Sequence, residues 1–172
     1  STAKYFTPRL LGDFCRMHPE VEISLEVLNR DGVVQRLRDN VDDLYIMSMP
    51  PEHMELERHD FLPNPLVVIA PESHPLVQRR QIALAELGDE RFILREPGSG
   101  TLAALDEFML AHHMKARVAM QMSSNEAIKQ AVMAGMGVSM VSLHTIGLEF
   151  RNGLIAGTGA NRGTNAVDRS EE

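Results

Sequence analysis

The segment RFILREPGSGTLAALDEFML, residues 91–110, carries the local pattern on which the fold assignment depends. Its apolar run, residues 92–94, predicts a buried strand, and the residues Pro-Gly-Ser-Gly-Thr at 97–101 predict a tight loop. Apolar residues at helical spacing then predict a helix over about 101–113. A strand that leads through a glycine loop into a helix is the building unit of α/β proteins, so the segment favours that class.

The loop itself has two interpretations. Gly98 and Gly100 permit positive φ and close backbone approach, while Ser99 and Thr101 offer hydroxyls beside the unpaired N–H groups of a helix N-terminus. Arg95, just before the loop, suits a carboxylate or a phosphate. The pattern has neither the lysine of the nucleotide-hydrolase loop nor the spacing of the dinucleotide fingerprint. From these residues alone the loop is either an anion contact or an ordinary capped turn.

Outward from this segment, helix and strand patterns alternate along the chain. This order predicts a parallel sheet covered by helices. Asn29 and Asp31 are both plausible N-caps of the second helix. The other predicted helices span residues 4–17, 32–40, 83–87, 125–133 and 144–151, and the other predicted strands span 21–28, 44–49, two pieces within 56–70, 118–122 and one piece within 134–142.

Two more polar clusters fall at predicted helix starts. Ser123, Ser124 and Asn125 stand between a strand and a helix, and Ser1 and Thr2 precede the first helix. Each cluster taken alone is explained by helix capping. In open α/β sheets, however, ligands bind where strands hand over to helices, so the three clusters together predict one ligand cleft.

Composition narrows the functional class. The 172 residues are 44% hydrophobic, and 24 acidic against 17 basic residues give a net charge of −7, which argues against nucleic-acid binding by this chain alone. No apolar run approaches the roughly 20 residues of a membrane span, and the start lacks a signal-peptide pattern. The single cysteine, Cys15, lies in an apolar helical pattern, which predicts a core position and suits a reducing cytoplasm.

Metal and catalytic motifs are not found. His112 and His113 are adjacent and face different directions on a helix, while His53 and His59 lack partners at ligand spacing. The sequence has no nucleophile elbow and no paired carboxylates in a polar loop. We therefore expect neither a metal, nor a cofactor, nor an enzyme.

Four stretches together carry a resemblance to a known family. They are STAKYFTPRLLGDFCRMHPEVEISLEVLNRDGVVQRLRDNVDDLYIM, FLPNPLVVIAPESHPL, FILREPGSGT and SSNEAIKQAVMAGMGVSMVSLHTIGLEFRNGLIA. In this order and spacing, residues 1 to about 156 resemble the effector-binding domain of LysR-type transcriptional regulators. Within that family the chain is most similar to regulators of the RuBisCO, or Calvin-cycle, operon.

The resemblance implies a periplasmic-binding-protein-like α/β fold, in which two Rossmann-like lobes enclose an interlobe cleft. The first lobe would span residues 1–70 and the second 71–156, while residues 157–172 match nothing in the family and are expected to be disordered or foreign. The family's effector contacts correspond to Ser1, Thr2, Asn29, Arg30, Arg95, Ser99, Gly100, Thr101, Ser123, Asn125 and Ser142.

The resemblance also implies a function and partners. The chain would sense a small anionic, phosphorylated metabolite and act as a homodimer, or as a tetramer in the full-length form. Helix 4–17 would pack against the partner's helix that starts near Asn125. DNA would be reached only through an N-terminal domain that this sequence lacks, as it also lacks part of the first lobe. The alternatives are a transporter's solute-binding protein, an enzyme of this fold, or a dimerisation module without a ligand.

Overall fold

The computed structural model describes residues 3–78, 82–151 and 155–158. We call residues 3–65 the N-terminal region and the described residues from 66 onward the C-terminal region. The N-terminal region contains helices α1 (Ala3–Met17) and α2 (Arg30–Arg38). The C-terminal region contains β1 (Leu66–Pro71), α3 (Leu84–Gly88), β2 (Arg91–Arg95), α4 (Gly100–Ala111), β3 (Arg117–Met122), α5 (Asn125–Met133), β4 (Ser139–Ser142), α6 (Gly147–Arg151) and β5 (Ile155–Thr158), with 3-10 turns at Pro75–Gln78 and Leu143–Thr145.

The strands of the C-terminal region form a mixed sheet. β1 pairs antiparallel with β4 on one side and with β5 on the other, whereas β2 and β3 are parallel. A parallel bridge between Phe92 and Val138 joins β2 to the residue before β4. The parallel sheet predicted from sequence is therefore correct for β2 and β3, while β1 crosses in the opposite direction. The predicted lobe boundary near residue 71 stays a prediction, although β1 hydrogen-bonds within the C-terminal region.

Helices cover both faces of this sheet. Successive residues of a strand point to opposite faces, so β1 sends Val68 to one face and Ile69 to the other. Leu105 of α4 packs on the Val68 side, and Ile128 of α5 packs on the Ile69 side. The two buried clusters thus lie on opposite faces, as expected for a doubly covered sheet.

Three predicted strands in the N-terminal region are wrong. Residues 21–28, 44–49 and 56–62 form no ladder with any described residue, although their apolar patterns suggested strands. A strand exists only where a neighbouring backbone supplies hydrogen-bond partners. The side chains of Val21, Leu25 and Val27 are accordingly exposed.

Helix α1 also buries less than its sequence predicts. Leu10, Phe14 and Met17 are exposed, and Cys15, predicted to be a core residue, is exposed as well. Near the start of α1, by contrast, Phe6 packs edge-on against Phe61.

Polar contacts organise the rest of the N-terminal region. Asn29 caps α2, its Oδ1 accepting from the Gly32 N–H at 3.0 Å, which confirms one of the two predicted caps. Arg36 donates to both Asp42 carboxylate oxygens at 2.7 and 2.5 Å. The Tyr45 hydroxyl donates to the Arg36 carbonyl and accepts from the Asp42 N–H. These bonds fold the segment after α2 back onto the helix.

Candidate functional site

A cavity of about 620 Å³ opens between the N-terminal region and the start of α4, and its volume is typical of small-molecule sites. It combines a polar end, next to α4, with an apolar wall supplied mainly by the N-terminal region. The lining residues are Ala3, Phe6, Leu28, Asn29, Arg30, Val33, Ile46, Met47, Ser48, Met49, Pro50, His59, Asp60, Phe61, Leu62, Pro63, Asn64, Arg95, Ser99, Gly100, Thr101 and His144.

The N-terminus of α4 forms the polar end. Ser99 caps the helix, its Oγ accepting from the Leu102 N–H at 3.5 Å, and Gly98 before it has a φ of +83°. Gly100 and Thr101 follow as the first helical residues and line the cavity. Because the first N–H groups of a helix lack intrahelical partners and carry partial positive charge, this end of the cavity favours an anion.

Arg95 lies at the end of β2, and only 4% of its surface is exposed. Its Nε and Nη2 donate to the two carboxylate oxygens of Glu96 at 2.8 and 3.0 Å, and its Nη1 donates to Asn125 Oδ1 at 2.7 Å. These contacts use three of the five N–H groups of a guanidinium. Arg95 is therefore a buried cation held in one orientation at the cavity wall.

Arg30 brings a second cation from the opposite side. It is the first residue of α2, its Nε donates to the Met49 carbonyl at 3.1 Å, and its Nη1 lies 3.6 Å from an Asp31 carboxylate oxygen. A Cβ on Gly100 would lie 3.6 Å from the Arg30 side chain and 3.7 Å from the Ser48 hydroxyl. Arg30, Ser48 and the start of α4 therefore converge on the same part of the cavity.

The two regions touch beside this polar end. The Asp31 N–H donates to the Gly98 carbonyl at 3.1 Å, and Asn29 Nδ2 donates to Glu96 Oε1 at 3.4 Å. A Cβ at position 98 would lie 2.8 Å from the Asp31 carboxylate, so this approach needs glycine for its space as well as for its φ.

A second contact between the regions lies at the start of α1. The Tyr5 hydroxyl donates to Glu126 of α5, which also pairs with Lys129 at 3.0 Å. Lys129 is 3% exposed, and its Nζ also reaches Glu149 at 2.7 Å and the Thr145 carbonyl at 2.9 Å. A buried ammonium is costly unless it is paired and hydrogen-bonded, and here two carboxylates and a carbonyl satisfy it.

The pKa values of this cluster follow from its burial and its hydrogen bonds. Burial, and then the hydrogen bond to the Glu126 carboxylate, raise the pKa of Tyr5 far above its usual value. Burial would raise the pKa of Glu126, but hydrogen bonds from Tyr5 and Lys129 outweigh it, and the net pKa is lowered. At neutral pH the cluster therefore contains a neutral phenol and an ionised Glu126 carboxylate.

The structure brings many of the sequence-predicted site residues together. Asn29, Arg30, Arg95, Ser99, Gly100 and Thr101 line the cavity. Ser1 and Thr2 lie outside the described residues. Ser123 is exposed and does not line the cavity. Asn125 is buried and reaches the site only through Arg95, and Ser142 is buried and donates to Asn64 Oδ1 at 2.7 Å.

Sequence reasoning missed five polar lining residues, Ser48, His59, Asp60, Asn64 and His144. Ser48 belongs to the strand predicted at residues 44–49, and Asn64 lies between the two strands predicted within residues 56–70. His144 Nε2 lies 2.7 Å from the Pro63 carbonyl, and its ring packs edge-on against Phe6. A search for polar residues directly after apolar runs would have found Ser48.

Within residues 3–78, 82–151 and 155–158, no group of three or more histidine, cysteine or acidic side chains is placed to hold a metal ion. Within the same residues, no helix has the length and apolar character needed to cross a membrane.

Comparisons with known proteins agree on one relationship. The family model described as LysR substrate binding domain matches residues 1–158. The HTH-type transcriptional activator CmpR of Synechocystis sp. is 48% identical over 156 residues, which cover 91% of this chain and 51% of the relative. The RuBisCO operon transcriptional regulator of Allochromatium vinosum is 49% identical over 149 residues, 87% of this chain and 49% of the relative. The chain thus spans about half the length of these relatives.

A solved structure gives the same result in three dimensions. The Synechocystis PCC6803 CcmR regulatory domain in complex with 2-PG superposes with a TM-score of 0.87 at 46% identity. The match covers 91% of this chain and 76% of that one.

Proposed function

This chain belongs to the LysR substrate-binding domain family, and from that premise we propose that its cavity binds a small phosphorylated metabolite and reports it to a DNA-binding domain elsewhere in the full-length protein. One observation carries the proposal. Arg30 from the N-terminal region, and Arg95 with the start of α4 from the C-terminal region, line the same cavity. An anion held there contacts both regions at once.

The family relationship confirms the expected periplasmic-binding-protein-like α/β fold. It also favours an effector-binding domain of a transcriptional regulator over a transporter's solute-binding protein. As proposals for the full-length protein, we add the cytoplasm as its location and the absence of an enzymatic reaction. Its relatives are named as transcriptional regulators, which supports both.

The ligand class follows from the charges of the site. The similar CcmR domain was solved with 2-PG, an acid that carries both a phosphate and a carboxylate. Two arginines and a helix N-terminus suit such a compound, because a guanidinium binds planar oxyanions through paired hydrogen bonds. We therefore propose 2-phosphoglycolate, or another phosphorylated acid of similar size, as the effector.

Signal transmission would use the contacts between the two regions. A ligand shifts a conformational equilibrium only by its different affinity for the two states. An effector that touches Arg30 on one side and the α4 N-terminus on the other has such a difference, because it holds both only at one relative position of the regions.

For the full-length protein we propose a homodimer, and a tetramer as its larger form. The exposed apolar side chains Leu10, Phe14 and Met17 on α1 support a contact between this helix and α5 of a partner. DNA would be bound by a domain outside this chain, and the net charge of −7 gives this chain no electrostatic reason to bind it.

The test is a calorimetric titration of the chain with 2-phosphoglycolate. Wild type should bind, and Arg30→Met should weaken binding by about 10- to 100-fold, since a hydrogen bond to a charged group contributes about 1.5–3 kcal/mol. Arg38→Met is the matched control, because Arg38 is exposed at the far end of the same helix.

Arg38→Met should bind as wild type does, at equal ionic strength. A wild-type chain that is folded by circular dichroism but binds neither 2-phosphoglycolate nor inorganic phosphate would refute the proposal. An equal loss in both variants would show that only the net charge matters and that the cavity is not the site.

A further inference from the structure

Glu96 directly follows Arg95 and occupies the face of its guanidinium that suits an oxyanion. Both carboxylate oxygens accept from Arg95, Oε2 from Nε at 2.8 Å and Oε1 from Nη2 at 3.0 Å. This is the two-bond arrangement in which arginine holds a carboxylate or a phosphate ligand. The cation at the cavity wall therefore already has an anion of its own.

The same carboxylate reaches across to the N-terminal region. Glu96 Oε1 accepts a weaker bond from Asn29 Nδ2 at 3.4 Å, while Asn29 Oδ1 is committed to capping α2. One glutamate thus joins polar groups of both regions. Any effector that closes the two regions around Arg95 needs the same groups.

Glu96 is charged at neutral pH. Burial would raise the pKa of its carboxyl group, but the hydrogen bond from Arg95 and further hydrogen bonds outweigh it, and the net pKa lies below the usual value. Its side chain keeps 21% exposure, whereas that of Arg95 keeps 4%. The glutamate is therefore the more accessible partner of the two.

We propose that Glu96 is an internal competitor for the effector and sets the charge that a ligand must carry to be bound. This inference rests on the proposed function. Glu96 holds the Arg95 fork and the Asn29 amide, and the effector's anionic group displaces it from both.

The displacement selects for phosphate. Exchanging the Glu96 carboxylate for a ligand carboxylate replaces two charge-assisted hydrogen bonds by two similar ones. A simple carboxylic acid therefore gains little binding free energy from the exchange. A phosphate monoester brings three oxygens and about 1.5 to 2 negative charges at pH 7, and it can also use the α4 N-terminus. Specificity then arises in two ways: a singly charged carboxylate must overcome the competing Glu96, and a phosphate monoester is bound more strongly by the same groups.

The experiment compares two probes on wild type and on Glu96→Gln. The probes are 2-phosphoglycolate and glycolate, titrated by calorimetry at one ionic strength, because screening changes such affinities. Removing the competing charge should tighten both probes by about tenfold or more, and glycolate more than 2-phosphoglycolate. The affinity ratio between the two probes should therefore shrink in Glu96→Gln.

Glu72→Gln is the control, because it removes the same charge from an exposed position after β1 and should leave both affinities unchanged. Should Glu96→Gln not fold, Glu96→Asp replaces it. Aspartate keeps the charge but is one methylene too short to reach both Arg95 nitrogens in the same way, so a smaller gain for both probes is expected.

An equal or weaker affinity of the Glu96 variants for both probes, with wild type binding 2-phosphoglycolate, would overturn the inference. Glu96 would then only position Arg95. The proposed function fails separately, when wild type itself binds neither 2-phosphoglycolate nor phosphate, and in that case the inference falls with it.

Discussion

The N-terminal and C-terminal regions show similar alternation of helix-like and strand-like patterns in sequence, yet they bury their apolar residues very differently. Both apolar clusters belong to the C-terminal region, whereas Val34 and Pro51 are the buried apolar side chains within residues 3–65, all of which are described. Leu44 of the N-terminal region is 78% exposed. An apolar pattern thus predicts which face a segment can bury. It does not predict whether another element is present to cover that face.

The difference also sets what holds each region in shape. The C-terminal region rests on packing across a sheet with helices on both faces. The N-terminal region rests on helix caps, on the Arg36–Asp42 pair and on hydrogen bonds to backbone carbonyls such as that of Met49. Apolar packing is insensitive to pH, whereas an ion pair is not, so the two regions should respond differently to perturbation.

The largest effect is expected from truncating the apolar core of the sheet. Phe92 is fully buried, and Phe92→Ala should lower the free energy of unfolding by about 3–5 kcal/mol. Leu44→Ala, in the exposed segment, should change it by less than about 0.5 kcal/mol. Urea unfolding followed by circular dichroism measures both. Similar losses in the two variants would mean that the contrast between the regions is wrong.

The next largest effect is expected from a substitution that disturbs the backbone of the sheet. Gly137 has a φ of +155°, and a Cβ there would lie 2.3 Å from the Arg91 carbonyl oxygen, which accepts a hydrogen bond from the Val138 N–H. Gly137→Ala should therefore cost about 3 kcal/mol through strain and loss of strand pairing.

Gly135→Ala separates the strain of a positive φ from the steric clash that would disturb strand pairing. Gly135 also has a positive φ, +76°, but nothing lies within 4 Å of its Cβ position. Its substitution should cost only the left-handed backbone term of about 1–2 kcal/mol. Equal losses at 135 and 137, measured by the same urea unfolding, would remove the steric argument.

A smaller effect is expected where the regions meet at α1. Lys129→Met leaves the Glu149 carboxylate, 16% exposed, without its cation. Breaking a fully buried pair costs about 3–5 kcal/mol, and the half-exposed Glu126 reduces our expectation here to about 2 kcal/mol.

The same variant should loosen α1 specifically, because Glu126 loses the ammonium that helps hold it beside Tyr5. Limited proteolysis should cut near α1 sooner than in wild type, while Lys115→Met, at an exposed lysine, should behave as wild type. Faster cutting throughout the C-terminal region instead would show that Lys129 supports the sheet and not the contact between the regions.

The smallest effect is a response of the N-terminal region to acid. Hydrogen bonds from Arg36, opposed by desolvation, hold the pKa of Asp42 below its usual value. A lowered folded-state pKa gives stability that is present above the usual aspartate value of about 3.9 and is lost as pH falls through the folded value. Below about pH 4 the segment after α2 should therefore loosen.

Amide hydrogen exchange resolves this response by segment. The protection factors of residues 36–45, which compare each exchange rate with that of an unstructured chain at the same pH, should fall below about pH 4 before those of the strands β1 and β2 do. In Asp42→Asn the same residues should already be poorly protected at neutral pH, and their protection should not change further near pH 4. Simultaneous loss of protection in both regions would contradict the separation.

The sequence predicted the elements of the C-terminal region better than those of the N-terminal region. β2, the glycine loop and α4 were predicted nearly to their ends, because each signal is local: an apolar run, a glycine with positive φ and a serine cap. Ser99 and Gly100 of the site were found for that reason. The strand predicted at residues 21–28 was wrong because its pairing depends on a distant backbone that no local pattern reveals.

The site divides in the same way. Arg95 was found from its place before the loop, but the pairing with Glu96 was not, since adjacent opposite charges in sequence have no fixed geometry until a strand end orients them. Ser48 and His144 reach the cavity by tertiary packing alone. Asn125 is likewise buried and bonded to Arg95, a contact that its position at a helix start does not predict.

The distribution of aromatic chromophores has a practical consequence. The protein contains two tyrosines and no tryptophan, and both tyrosines, Tyr5 and Tyr45, belong to the N-terminal region. Tyr5 is hydrogen-bonded to a carboxylate of the C-terminal region, and Tyr45 bridges Arg36 and Asp42. Absorption near 280 nm and intrinsic emission above 300 nm therefore come from one half of the molecule and its junction with the other. The two tyrosines therefore report on the loosely packed N-terminal region, whereas the densely packed C-terminal region contributes no tyrosine signal.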